Sequence, residues 1–284
     1  MSKQSQSSGK LPTSGSAAEA AKKKPKPAIL CLHGSGTSAM IFNIQTIRLQ
    51  RQLQDVFDFV FIDAPIESPP GPGVVPVFEE CGPYWAWQYP SFSHTEQMMP
   101  QETIDVLADT MDRQIATTGQ PFVGVLGFSQ GTRVAAGLLL QQQRDQKTGR
   151  DQDQGWGRRM DFRFGIFLNG SKTPLLSDSS LATVGKIVDI PSVHVIGLQD
   201  PFMFLARSLH AEYFEPQHAS VIELNVAHHL PVAPEDTAKI VREIVRLYMM
   251  KPQPGSDADP YMMGVTEEAA GYRMDRAFEE ERIT

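Results

Sequence analysis

Residues 127–131 read Gly-Phe-Ser-Gln-Gly, placed between an apolar run at 121–126 and an Ala- and Leu-rich stretch at 132–143. A strand, a sharp turn and a helix around G-x-S-x-G lift the serine hydroxyl above the end of a sheet, where it can attack a carbonyl carbon. The flanking glycines are needed because a side chain there would meet the neighbouring strand and helix. A serine that only caps the following helix would account for the hydroxyl but not for the two glycines or the apolar strand before them. Ser129 is therefore the candidate nucleophile. Such a hydroxyl needs a base to take its proton and a third group to orient that base. On a parallel α/β sheet these partners follow in the order serine, acid, histidine, each on a loop after a strand. Asp200 lies just past the apolar run 193–197, and His228 and His229 lie just past 220–224. Asp189 precedes its strand and does not fit. Only one of two adjacent histidines can face a given cleft, and residue types alone leave that pair open. The remaining need is for backbone N–H groups to meet the negative charge that develops on oxygen. One comes from the residue after the nucleophile, Gln130, and the other from the turn His33-Gly34-Ser35-Gly36, where Ser35 is the candidate.

These residues need a sheet to hold them, and the apolar pattern supplies one. Residues 28–32 form a continuous apolar run, as in a strand buried on both faces. Residues 37–53 show helical spacing through Met40, Ile44, Ile47 and Leu53, and 57–62 form the next strand, closing at Asp63-Ala64-Pro65. Residues 64–99 hold many prolines and glycines with Tyr84, Trp85, Trp87 and Tyr89 and no sustained period, which predicts a lid or binding loop. An amphipathic helix at 102–117, strands at 162–168, 193–197 and 220–224, and a helix at 235–249 follow, with 144–160 read as an exposed polar insertion. Strands alternating with helices predict a three-layer α/β sandwich around a mostly parallel sheet. The Ser-, Gly- and Lys-rich segment 1–26, ending in Lys22-Lys23-Lys24-Pro25-Lys26, predicts a disordered basic tail, residues 27–250 the domain, and 251–284 an acidic tail.

The bulk numbers bound the function. A chain of 284 residues with 41% hydrophobic and 21% charged residues is an ordinary globular composition. A formal charge of −7 argues against nucleic acid as a partner. No apolar stretch reaches the ~18 residues that span a bilayer, and no apolar leader opens the chain. Two cysteines, Cys31 and Cys81, make no disulfide framework and point to a reducing, cytoplasmic setting. None of the seven histidines has the His or Cys spacing of a zinc site, so neither a metal nor a cofactor is expected.

Taken as a set, the motifs resemble the fungal serine-hydrolase (FSH-type) family of α/β-hydrolases over roughly residues 27–250. They are Leu-His-Gly-x-Gly at 32–36, Asp-Ala-Pro at 63–65, Gly-Phe-Ser-Gln-Gly at 127–131, the late Asp200, and His-x-x-Pro at 228–231. Val226-Ala227 stand where relatives more often carry glycines. The His-x-x-Pro register implies His228, rather than His229, as the base. The resemblance also implies an α/β-hydrolase fold and acyl transfer from a thioester or ester. The substrate it implies is a polyketide-type chain on an acyl-carrier protein or coenzyme, released by hydrolysis or by lactonisation onto a hydroxyl of the same chain. Phe78, Tyr84, Trp85 and Trp87 are the expected contacts to such a chain, with the packing of an irregular loop as the alternative. The alternatives are a general carboxylesterase on small esters and a non-catalytic module that reuses the fold for binding.

Overall fold

The computed structural model describes residues 25–89, 97–149, 156–171, 173–182 and 187–250. The two tails, apart from residues 25–26, lie outside the described residues, as do 90–96 of the irregular stretch and 150–155 of the polar one. The elements run β1 (Ala28–Leu32), α1 (Ala39–Gln45), α2 (Ile47–Leu53), β2 (Asp58–Ile62), β3 (Ile66–Ser68), β4 (Tyr84–Ala86), α3 (Gln101–Thr118), β5 (Phe122–Phe128), α4 (Gln130–Thr148), α5 (Trp156–Arg159), β6 (Met160–Leu168), β7 (Ser192–Gly197), α6 (Met203–Tyr213), β8 (Ala219–Leu224) and α7 (Pro234–Met249). Six strands form one parallel sheet in the order β2-β1-β5-β6-β7-β8. This is the α/β-hydrolase architecture, three layers deep.

Strand β1 shows why its sequence is apolar at every position. Leu30 and Leu32 pack into one core with Leu107 of α3, Val134 and Leu138 of α4 and Leu209 of α6. Ile29 and Cys31 pack into the other core with Phe42 of α1, Leu49 of α2 and Ile240 and Ile244 of α7. Alternate side chains of a strand point to opposite faces, so a strand covered on both faces is apolar throughout.

Three features differ from the sequence reading. First, residues 37–53 form two seven-residue helices meeting at Thr46, whose hydroxyl donates to the carbonyl of Phe42. The break resets the buried face to Ile41, Phe42, Leu49 and Leu53, while Met40, Ile44 and Ile47 are 52%, 51% and 42% exposed. Second, 144–160 is exposed at 146–149, as expected, but Arg144 and Asp145 are buried within a helix. α4 continues to Thr148 with Gln141 through Asp145 buried, and α5 and β6 cover 156–160. The glutamines tolerate burial because their carboxamides find backbone partners: Gln142 donates to the carbonyl of Phe162 and accepts from its N–H, and Gln143 does the same with Ile187 and Asp189. Third, the stretch 64–99 contains a two-stranded antiparallel sheet, with Glu67 opposite Trp85.

The sheet's close packing meets the serine turn at Gly131. A Cβ there would lie 2.2 Å from the carbonyl oxygen of Leu32 and 2.7 Å from that of His33. Gly131→Ala is expected to cost about 3 kcal/mol by overpacking. Gly73→Ala should cost only about 1 kcal/mol of left-handed strain, since nothing lies within 4 Å of that position. Chemical denaturation of both variants checks the difference.

Candidate active site

Ser129 stands between β5 and α4 with φ 50° and ψ −119°, a left-handed conformation rare for a residue with a side chain. Its hydroxyl makes no capping bond to the helix, which removes the capping explanation. Its N–H donates to the carbonyl of Leu168 at 3.0 Å, tying the turn to β6. Gly127 has the same need as Gly131: its Cβ would lie 2.6 Å from the Gly131 carbonyl. The paired glycines let strand, turn and helix close on one another, leaving the hydroxyl at the sheet's carboxyl edge.

His228 and Asp200 arrive at that edge from the loops after β8 and β7. His228 Nε2 is 3.0 Å from Ser129 Oγ, and Nδ1 is 2.6 Å from Asp200 Oδ2. The Asp200 side chain is 1% exposed, and its other oxygen accepts the N–H of Phe202 at 2.7 Å. A carboxylate accepts only, so the proton sits on Nδ1 and leaves Nε2 free to receive the Ser129 proton. The imidazole lies between the rings of Phe128 and Phe202, with centroids 5.1 and 5.2 Å away. His229 is exposed, its Nδ1 directed at the carbonyl of Leu230 at 2.8 Å. The backbone thus separates two histidines that residue type could not.

The turn after β1 is built as carefully. His33 is fully buried, and burial pushes its imidazole pKa down to about 4. It is held as the neutral Nδ1–H tautomer: Nδ1 donates to the Gly34 carbonyl at 2.7 Å and Nε2 accepts the Ala64 N–H at 3.0 Å. Trp87 tilts against its ring and donates its indole N–H to the His33 carbonyl at 2.8 Å. Asp63 accepts the first helical N–H of α1 from Ala39 at 2.7 Å. Gly36, at φ 70°, donates to the Trp85 carbonyl and accepts from Gly71, which lies so close that a Cβ on Gly36 would be 2.1 Å from the Gly71 nitrogen. Ser35 is thereby fixed beside the serine turn, where a Cβ on Gly34 would lie 3.3 Å from that of Ser129. The Gln130 side chain accepts the Trp87 N–H at 2.7 Å, bracing its own position at the start of α4.

The model of the family described as "Serine hydrolase (FSH1)" matches residues 22–240. The chain belongs to this family. Similar relatives include "Esterase FUS5" of Gibberella fujikuroi, 34% identical with 78% of this chain and 88% of the relative covered. "Probable esterase tazC" of Aspergillus terreus is 36% identical over 78% and 92% of the two chains, and "Thioesterase FSL2" of Gibberella zeae is 33% identical over 77% and 91%. A solved structure of YahD with malic acid, 15% identical, covers 79% of this chain and 97% of its own at a TM-score of 0.50, a likeness of fold alone.

In this serine hydrolase the four aromatics expected to contact substrate hold the stretch 64–89 to the domain. Trp87 is wholly buried, with both its N–H groups used. Tyr84 packs with Ile41 and Val74, its hydroxyl donating to the carbonyls of Phe78 and Glu79, and Phe78 packs against the same cluster. Trp85 lies in β4, packed against the core. Among the described residues no hydrogen bond or ring contact joins Phe78, Tyr84 or Trp85 to Ser129 or His228. The aromatics at the imidazole are Phe128, inside the serine motif, and Phe202, two residues past Asp200, and only those positions marked them in the sequence. Among the described residues no group of His, Cys, Asp or Glu is arranged to hold a metal ion, and no helix is long and apolar enough to cross a membrane.

The buried neutral histidines make the fold sensitive to acid. Below the ordinary value of 6.5 the unfolded chain binds a proton at His33 that the folded chain refuses until about pH 4. Stability therefore falls as pH drops through that window, and His194, also lowered by burial, adds in the same sense. Between pH 7 and 4.5 the wild type should lose about 2–3 kcal/mol more than His33→Gln, by urea unfolding.

Proposed function

We propose that Ser129, His228 and Asp200 carry out acyl transfer from thioesters or esters through an acyl-enzyme. The observation that carries this reading is the relay from Ser129 Oγ through His228 to a buried carboxylate, at 3.0 and 2.6 Å. As the serine oxygen attacks the carbonyl carbon, Nε2 takes its proton and Asp200 stabilises the imidazolium. The backbone N–H groups of Ser35 and Gln130 receive the oxyanion. Nε2 then returns the proton to the departing thiol or alcohol, leaving the acyl group on Ser129. In deacylation the water oxygen attacks the acyl carbon as Nε2 takes its proton, and collapse of the second tetrahedral intermediate breaks the bond to Ser129 Oγ, which recovers the proton from Nε2 as the free acid leaves. A hydroxyl of the same chain can replace the water and release a lactone.

For the substrate, we infer a long, polyketide-type acyl chain presented as a thioester on an acyl-carrier protein, in a reducing cytoplasm that keeps Cys31 and Cys81 as the free thiols they are. Support comes from the family motifs and from relatives named as thioesterase and esterase.

Ser129→Ala should lower kcat/KM about 10⁴-fold or more while leaving the unfolding midpoint unchanged. A panel of N-acetylcysteamine thioesters should show kcat/KM rising with acyl length. Faster cleavage of short oxygen esters than of any long thioester would replace this reading with that of a general carboxylesterase.

A further inference from the structure

Outside the relay, one buried polar side chain touches both loops that carry it. Asn169 follows the last residue of β6, takes a left-handed φ of 44°, and is 4% exposed. Its N–H donates to the Val195 carbonyl at 2.9 Å, holding it to β7. Its Oδ1 accepts the N–H of Gly197 at 2.8 Å, the last residue of β7 before the turn to Asp200. Its Nδ2 donates at 3.2 Å to the carbonyl of Ala227 and at 3.2 Å to that of His229, the residues on either side of His228. All the carboxamide's partners are thus backbone groups of the acid loop and the histidine loop. Gly197 admits the approach because it has no side chain: a Cβ there would lie 2.6 Å from the Val226 carbonyl and 2.8 Å from that of Ala227.

We propose that Asn169 is a positioning residue that sets the register between the Asp200 loop and the His228 loop. It needs an acceptor for one loop and two donors for the other, a combination an amide supplies and a carboxylate or hydroxyl does not. Its left-handed backbone also suits asparagine better than most residues. The inference rests on the proposed role of the Ser129–His228–Asp200 relay.

The test compares wild type, Asn169→Ala and Asn169→Asp with an acyl N-acetylcysteamine thioester across pH, and with a fluorophosphonate probe for labelling at Ser129. Asn169→Ala should lower kcat roughly 10- to 100-fold with KM within about threefold, and slow the labelling in proportion. Its acidic limb should move to lower pH, because a loosened Asp200 contact stabilises the imidazolium less. Asn169→Asp keeps the Gly197 contact but turns an acceptor toward two carbonyls. It should show the same loss of kcat, with its acidic limb moved to higher pH by the added charge. Should the alanine variant not fold, the aspartate variant decides alone. Wild-type kcat and an unmoved acidic limb in the variants that fold would overturn the positioning role while leaving the relay intact. Failure of the wild-type protein to label at Ser129 would instead remove the reading on which the inference rests.

Discussion

The site depends on backbone packed directly against backbone where α4 begins. Gly131 has no Cβ, so the first turn of the helix can lie on the carbonyls that end β1. That contact brings Ser129 and the turn at Gly34 and Ser35 together. A side chain at Gly131 would push the Ser129 turn and the turn at Gly34 and Ser35 apart. Gly127 against Gly131, and Gly36 against Gly71, repeat the device on either side. The strain of a left-handed serine is held by these contacts and by the bond from its N–H to Leu168.

On this frame histidines serve opposite purposes, decided by burial and partners. His33 is enclosed, holds one proton on Nδ1, and links the β1 turn to Ala64 through Nε2. Its depressed pKa follows from that enclosure, and it suits a brace that must not change charge. His228 has the same Nδ1 donor, but its acceptor is a carboxylate and its Nε2 faces a hydroxyl. Imidazole chemistry is common to both; only the second is placed to accept a proton and have the resulting charge stabilised. Asp200, nearly closed to solvent, is satisfied by His228 and the Phe202 N–H together, so its geometry is fixed from two directions.

Much of the architecture was legible in the sequence because it follows from short-range rules. Continuous apolar runs marked β1 and β5, since both faces of the sheet are covered. Order along the chain and position after a strand placed Ser129, Asp200 and the histidine pair at one edge. What was not legible depends on tertiary geometry. Spacing alone ran one helical pattern through Met40, Ile44 and Ile47, because nothing in the apolar pattern shows that a helix breaks at Thr46. The burial of Arg144 and Asp145 was not legible, because a charged pair at a helix end reads as surface until the fold encloses it. Tyr84 and Trp87 brace a loop, a role that residue type could not separate from a place in a cleft, because an aromatic serves either. Asn169 gave no signal: its importance lies in two loops that meet only in the fold.

The central claim, a covalent acyl intermediate on Ser129, is tested most directly by rapid-quench intact mass of the protein with a medium-chain hydroxyacyl N-acetylcysteamine thioester, followed by peptide mapping. A transient mass increase equal to the acyl group is expected, located on the peptide containing Ser129 and absent in Ser129→Ala. Turnover of the thioester with no adduct at Ser129, or an adduct that persists in Ser129→Ala, would contradict it.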